Sequence, residues 1–232
     1  LMSAARVEAV LLDMGGVLLP ELQRYERALR DGAFLAALRE QGVGDPESFV
    51  IERAKRLREA YRALEKERAQ PDVDEVLGDC SPVVRGLLLG AFKREASPPP
   101  YVFAGAVVAQ LARRYRLGLV SNNAMPGDHH AAVLRRAGIL QHLGCAVWSA
   151  DFGRRKPHPG MIRHVLRQLR VPAWRAVFVG DKLRTDVAAA RNARVRSVYI
   201  RKRGAPHATR ALRPDFTIGD LRALPGLLRQ LG

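Results

Sequence analysis

Cysteine is nearly absent from this chain, which has only Cys80 and Cys145 among its 232 residues. One possible pair, far apart in sequence, does not make the disulfide framework of a small secreted domain. The sequence also has no Cys-x-x-Cys pair of the kind that structural zinc sites use. Both classes of protein are therefore excluded, and we expect the two thiols to be buried or to have no special role.

Long hydrophobic runs are also missing. No stretch approaches the roughly 18 consecutive apolar residues that a membrane-spanning helix needs. The sequence reaches its first strand pattern at Val7, and no basic segment, apolar core and cleavage site of a secretory leader precede it. We therefore expect no membrane association and a cytoplasmic location.

Lysine and aromatic residues are scarce, although the chain is strongly basic. The formal net charge is +16, only six of the 39 basic residues are lysine, and aromatic residues make up 6% of the chain. A basic surface favours an anionic ligand or partner. The basic groups, such as 113–116, 154–156 and 201–203, look dispersed, and no aromatic side chains interleave with them as stacking platforms. This argues against specific nucleic-acid binding.

The pattern that is present begins with a short apolar run, Val7–Leu12, which ends at Asp13 and is followed by Gly15 and Gly16. Such a run is typical of a strand buried on both faces of a parallel sheet. A carboxylate at the carboxyl end of a central parallel strand lies where open α/β sheets bind their ligands. The glycines allow a sharp turn and a close approach to a ligand.

The rest of the chain divides into a helical part and an alternating part. Residues 20–98 carry apolar stripes at helical spacing, with Asp45-Pro46 as a helix start, and end at three prolines. From Tyr101 onward, strands alternate with helices. We predict an α/β fold: a Rossmann-like parallel sheet with helices on both faces, formed by 1–19 and 99–232, with a small all-helical domain, 20–98, inserted after the first strand.

Polar residues follow several of the predicted strands. Ser121 and Asn122 end one strand, Lys156 precedes a helix, and Asp181 ends another strand with Asp186 five residues later. The ends of parallel strands share one sheet edge, so these groups should converge on Asp13. Carboxylates so close repel one another unless a cation joins them, and oxygen ligands of this kind suit Mg²⁺. Beside them, the hydroxyl, amide and ammonium groups would bind a dianion. A nucleophilic carboxylate, a metal ion and a dianion site together are what phosphoryl transfer requires.

The four stretches resemble the four motifs of the haloacid dehalogenase-like (HAD) hydrolase superfamily, in the usual order. They are Asp13-Met14-Gly15-Gly16-Val17, Ser121-Asn122-Asn123, Arg155-Lys156-Pro157 and the acidic stretch Gly180–Asp186. The helical insert resembles the cap domain that this superfamily places between its first and second motifs. The resemblance covers nearly the whole chain.

That resemblance implies a role for each matched residue. Asp13 would attack phosphorus and form an aspartyl-phosphate, and Lys156 would neutralise charge beside it. Asp13, Asp181 and the backbone carbonyl of Gly15 would hold Mg²⁺, with Asp186 as a further acidic group. Ser121, Asn122 and Lys156 would bind the phosphate of a small phosphorylated metabolite. Three residues after the first motif, Arg24, Tyr25 and Arg27, are candidates for substrate contact.

The sequence departs from the family at Gly15, where most HAD phosphatases carry a second aspartate that protonates the leaving group. General acid–base catalysis typically contributes about 10²–10⁴-fold in rate. Three functions therefore stay open. The protein is a phosphatase whose proton comes from elsewhere, or a non-catalytic protein that binds phosphate or an acidic partner, or a 2-haloacid dehalogenase. The last usually has tyrosine at this position.

Overall fold

The computed structural model describes residues 6–20, 28–96 and 98–231. Its centre is one sheet of six parallel strands in the order β3-β2-β1-β4-β5-β6. The strands are β1 Ala9–Leu12, β2 Arg116–Ser121, β3 Leu143–Trp148, β4 Ala176–Gly180, β5 Arg196–Ile200 and β6 Phe216–Ile218. The predicted parallel α/β sheet is confirmed, and the first strand along the chain lies in its middle.

The helices fall into two groups along the chain. Within the described residues, the first group is α1 Gly32–Glu40, α2 Pro46–Ala63, α3 Val73–Val76 and α4 Pro82–Ala96. The second group is α5 Ala104–Ala112, α6 Gly127–Arg136, α7 Ser149–Phe152, α8 Gly160–Leu169, α9 Ala188–Ala193 and α10 Leu224–Gln230. Short 3₁₀ turns cover Ala28–Arg30, Leu140–His142, Ala173–Arg175, Arg210–Leu212 and Leu221–Ala223, and a π-turn covers Leu183–Val187.

The sheet is covered on both faces because its strands alternate apolar side chains on both sides. Ala9 and Leu11 of β1 pack in one hydrophobic cluster with the apolar residues of α8 and α9. Val10 and Leu12 pack in a second cluster with α5, α6 and α10. All four of these strand residues are fully buried. This three-layer arrangement is the predicted one, and it fixes the edge of the sheet at which the loops after the strands meet.

The helices α1 to α4 form a separate body with its own hydrophobic core. That core includes Phe34, Leu57 and Leu88, and it also takes in Met125 from the loop after β2. The predicted start of α2 is confirmed, since the Asp45 side chain accepts a hydrogen bond from the N–H of Ser48. The boundaries 1–19, 20–98 and 99–232 stay predictions, but a helical insert with a core of its own agrees with them. None of the described helices has the length together with the apolarity that crossing a bilayer needs.

The helical insert is attached to the α/β part by a clasp, made of residues 67–70 and 153–155. The two segments run antiparallel and form an isolated bridge. The backbone N–H of Arg155 donates to the carbonyl of Arg68 over 2.9 Å, and its guanidinium donates to the carbonyl of Ala69 over 3.0 Å. The clasp therefore ends one residue before Lys156.

Candidate active site

Asp13 lies at the carboxyl end of β1, in the middle of the sheet. Its backbone N–H donates to the carbonyl of Val179 in β4 over 2.9 Å, which continues the ladder one residue beyond the strand. From β1 the chain order runs outward in both directions, to β2 on one side and to β4 on the other. Open α/β sheets bind ligands in the crevice at such a reversal. The nucleophile predicted from the sequence is thus at the expected place.

Lys156 joins two of the predicted carboxylates. Its side chain is almost fully buried, and its Nζ lies 2.7 Å from Oδ1 of Asp13 and 2.9 Å from Oδ1 of Asp186. A third bond goes to the carbonyl of Val120, over 3.0 Å. Burial opposes the charge on this ammonium, but the attraction of the two carboxylates outweighs burial and raises the pKa of Lys156. The lysine is therefore held as a cation with all three donors used.

Burial has the opposite consequence for Asp13. It raises the pKa of this carboxyl to about 6, against the lowering effect of Lys156, and the neighbouring Asp186 and Asp181 raise it further. One oxygen from each of the three carboxylates lies within 4.8 Å of the others. Three ionised carboxylates this close together in a buried site repel one another, and this costs free energy unless a further cation binds between them.

Asp186 is held in place by its own hydrogen bonds. Its Oδ2 accepts from the backbone N–H groups of Asp181 and Lys182, at 3.1 and 2.9 Å, and its Oδ1 accepts from Lys156 and, at 3.3 Å, from the hydroxyl of Thr185. The chain at Asp186 forms the π-turn Leu183–Val187 rather than a regular α-helical turn, and this wider turn accompanies the inward carboxylate. With both oxygens engaged, Asp186 is better suited to holding Lys156 than to binding a metal directly.

The two carboxylate oxygens of Asp181 differ, because one accepts a hydrogen bond and the other, which we call the orphan oxygen, accepts none from the described residues. Its Oδ2 accepts from Nζ of Lys202 over 3.1 Å, whereas its Oδ1 is buried and has no hydrogen-bonding partner in the described part of the chain. Burial raises the pKa of this carboxyl, and Lys202 partly offsets that effect. A buried carboxylate oxygen without a donor is costly and is the ligand type that Mg²⁺ prefers. The donor set of Asp13 and Asp181 therefore fits a hard divalent cation.

Glycines make the close approach of these carboxylates possible. Gly16 has a φ of +77°, and a Cβ built on it would lie 1.8 Å from Oδ2 of Asp181. A Cβ on Gly180 would lie 2.3 Å from the Cβ of Asp186. At Gly15 the situation differs, because a Cβ there would meet nothing within 4 Å. Within the part of the chain that the structure describes, the position of the missing aspartate is therefore open space.

The comparison with protein families agrees with this geometry. The haloacid dehalogenase-like hydrolase family matches residues 7–194, which hold all four motifs. The chain belongs to the haloacid dehalogenase-like hydrolase family.

Relatives within the family include phosphatases. The chain is similar to a phosphoserine phosphatase of Thermus thermophilus, with 31% identity over 157 residues, which is 68% of this chain and 62% of that protein. It is also similar to a glyceraldehyde 3-phosphate phosphatase of Methanopyrus kandleri, with 28% identity over 250 residues, 97% of this chain and 98% of that protein. Among solved structures, a 2-haloacid dehalogenase of Pseudomonas syringae pv. Tomato has the same fold, with a TM-score of 0.71 and 24% identity over 97% of this chain and all of that one.

The second motif of the family is also at the site, with an unexpected use of its amide. Ser121 is buried at the end of β2, next to the carbonyl of Val120 that Lys156 binds. The side chain of Asn122 pairs with the backbone of Lys156, donating to its carbonyl over 3.0 Å and accepting from its N–H over 2.7 Å. The amide of Asn122 therefore holds the lysine, and its predicted contact with phosphate stays a prediction.

The predicted and the observed site residues differ in two further respects. The predicted substrate contacts Arg24, Tyr25 and Arg27 lie outside the described residues and stay predictions. Lys202, which binds Asp181, was not predicted as part of the site. It lies two residues after β5, at the same sheet edge as the motifs, so its position after a parallel strand is the signal that could have found it.

Proposed function

We propose that this protein is a Mg²⁺-dependent phosphatase that acts on a small phosphorylated metabolite through an aspartyl-phosphate on Asp13. One observation carries the proposal: the buried Asp13 has Lys156 bound to one oxygen and lies beside the orphan oxygen of Asp181. Two relatives of the chain, from Thermus thermophilus and Methanopyrus kandleri, are named as phosphatases. Their substrates differ, so the metabolite is proposed only as a class.

The reaction needs two transfers of the phosphoryl group. A carboxylate oxygen of Asp13 attacks phosphorus, and the bond from phosphorus to the leaving oxygen breaks. Water then attacks the phosphorus of the aspartyl-phosphate, which releases inorganic phosphate and restores Asp13. Lys156 orients Asp13 and balances charge on the phosphoryl oxygens, while Ser121 and the backbone N–H of Asn122 would donate hydrogen bonds to them. Bound Mg²⁺, held by Asp13, Asp181 and the carbonyl of Gly15, would offset the negative charge of the phosphate.

The open space at Gly15 shapes the chemistry. Without an acidic side chain there, the leaving oxygen takes its proton from water. We therefore expect the enzyme to prefer substrates with a good leaving group, because a stable leaving anion depends least on protonation.

The same open space supports a second candidate function, a phosphate-binding or partner-binding protein that does not catalyse. Among the described residues, no side chain lies within 4 Å of the point where a Cβ at Gly15 would be. Such a protein would keep the charge-paired pocket of Asp13 and Lys156 but would lack turnover.

Hydrolysis assays separate these functions. We would measure release of phosphate from an aryl phosphate and from a panel of sugar phosphates, with Mg²⁺ and with a chelator, for the wild type and Asp13→Asn. Asp128→Asn, at an exposed carboxylate on α6, is the matched control. Mg²⁺-dependent turnover that is lost only in Asp13→Asn supports the phosphatase. Phosphate binding without turnover supports the binding protein, and metal-independent halide release from a 2-haloacid would select the dehalogenase.

A further inference from the structure

The positive charge of this protein is concentrated in one part of the chain. Residues 153–214 contain 17 basic and two acidic residues, whereas the rest of the chain contains the remaining 22 basic and 21 acidic residues. This one segment therefore carries +15 of the net charge of +16. The interpretation that the basic groups are dispersed is wrong, because this segment is both rich in basic residues and nearly free of acidic ones. The other 170 residues also contain 19 arginines, so what distinguishes this segment of 62 residues is that it has 14 arginines and only two acidic residues.

The two acidic residues of this segment do not balance the surface, because both belong to the site. They are Asp186, which is buried, and Asp181, which binds Lys202. Every fully exposed charged side chain between 153 and 214 is consequently basic. On the outer side of α8 and α9 the exposed residues include Arg163, Arg167, Arg170, Arg191 and Arg194, which we call the basic face.

The basic face is continuous across two helices and the loop beside them. Helices α8 and α9 cover the same side of the sheet, in one hydrophobic cluster. The guanidinium of Arg163 donates to the carbonyl of Asn192 at the end of α9, over 3.1 Å. Arg191 donates in turn to the carbonyl of Ala211 over 2.5 Å, in the loop that carries Arg210. The charges thus lie on one surface that neighbouring elements share.

Attraction of a small anionic substrate does not account for this surface. Helix α8 begins at Gly160, four residues after Lys156, so Arg167 lies about 10 Å and Arg170, just past the helix end, about 15 Å from the helix start. The Debye length at 0.1 M salt is about 10 Å, so exposed charges at that distance act only weakly on a small ion in the pocket. The far part of the basic face fits a long ligand with repeated negative charge.

We propose that the basic face binds the phosphate backbone of a nucleic acid without reading its base sequence. Fourteen of the 17 basic residues in the segment are arginine, whose planar guanidinium forms paired hydrogen bonds with phosphate oxygens. An acidic protein or an anionic bilayer would also use apolar contacts. Among the described residues, the large exposed apolar side chains include only Trp174 in this segment, and Arg175 stacks on its ring. The scarcity of aromatic side chains for stacking argues against recognition of the bases, but it does not affect binding of the phosphate backbone by arginine.

Binding of a short fluorescent duplex of mixed sequence, followed by anisotropy at several salt concentrations, tests this proposal. The key variant is the triple substitution Arg167→Gln, Arg170→Gln and Arg194→Gln, at exposed side chains that make no hydrogen bond within the described part of the chain. The matched control changes Arg113, Arg135 and Arg136 to Gln, at exposed positions on the α5–α6 side of the sheet. Both triples remove the same charge, and neither touches the site.

We expect the wild type to bind the duplex with an affinity that falls steeply between about 50 and 200 mM salt. Removing one arginine–phosphate pair lowers the slope of log K against log salt by about 0.9, so the key triple should reduce the slope by about 2 to 3. The control triple should keep the wild-type slope. The proposal is overturned by equal losses of affinity in the two triples, by no wild-type binding at the lowest salt, or by tighter binding to phosphatidylserine vesicles than to the duplex. None of these outcomes depends on phosphatase activity.

Discussion

Replacing Gly15 by aspartate should increase the phosphatase activity of this protein. A side chain can be added at this position, since a Cβ there meets nothing within 4 Å among the described residues, whereas a Cβ on Gly16 would clash with Asp181. Gly15 is also not among the residues with a positive φ, so an L-amino acid fits its backbone. The substitution therefore supplies the missing acid without displacing Asp13 or Lys156.

The size of the gain follows from the chemistry that the new carboxyl would perform. General acid catalysis is worth about 10²–10⁴-fold in rate, which is about 3–5 kcal/mol of activation free energy. The gain should be large for alkyl and sugar phosphates, whose leaving oxygens need a proton. It should be small for an aryl phosphate, whose leaving anion is already stable. The added carboxylate also increases the negative charge of the corner, so the variant should need Mg²⁺ more strongly.

The assay compares kcat and kcat/KM of the wild type, Gly15→Asp and Gly15→Asn for one aryl and one alkyl phosphate with saturating Mg²⁺. Gly15→Asn has nearly the same shape as Gly15→Asp but cannot donate a proton in the same way. A thermal melt of each variant checks the fold. If Gly15→Asp is folded and gains no more than Gly15→Asn on the alkyl phosphate, the reasoning about the missing acid is refuted.

Three further predictions follow from the buried charges and the packing. Lys156→Met leaves Asp13 and Asp186 without their cation and should lower the free energy of unfolding by roughly 3–5 kcal/mol in urea titrations, and a loss below about 1 kcal/mol would contradict the role of the pair. Gly16→Ala would place a Cβ 1.8 Å from Asp181 and should abolish Mg²⁺ binding in calorimetry, whereas Gly44→Ala, in open space, should not. The third prediction is a pH dependence of stability that comes from His130, whose pKa is lowered to about 4, chiefly by burial. Between pH 6.5 and 4 the unfolded chain therefore binds a proton at this histidine that the folded chain does not bind. Stability should therefore fall as the pH drops from about 6.5 to about 4, by up to about 3 kcal/mol, and chemical unfolding of His130→Phe should show a smaller fall.

The meeting of the site residues was predictable from the sequence because parallel strands end at one edge. Asp13, Ser121 and Asp181 each follow an apolar run of strand length, and this alone places them together. The contacts beyond the strands were not predictable in this way. Periodicity indicates a helix near Thr185 but does not distinguish an α-turn from the π-turn that carries Asp186 inward. Loop positions such as Lys202 have no periodicity at all.

The use of individual side chains was the hardest part to predict. Asn122 is placed as expected, yet its amide is engaged by the backbone of Lys156, because a loop with free N–H and carbonyl groups lies next to it. His130 is another case, since a histidine beside Asp128 at a helix start suggests exposure. The structure buries it against Trp148, because α6 begins at Gly127 and turns this position inward.

The clasp between residues 67–70 and 153–155 restricts how the helical insert can open. A swing of the insert away from the sheet must either break the hydrogen bonds of Arg155 or turn about them as a pivot. The chain itself crosses between the sheet and the insert near Pro20 and Pro98, so these crossings are a second attachment that a pivot about the clasp would have to strain. Opening about these crossings would instead break the hydrogen bonds of Arg155, so movement of the insert is tied to the chain segment that positions Lys156.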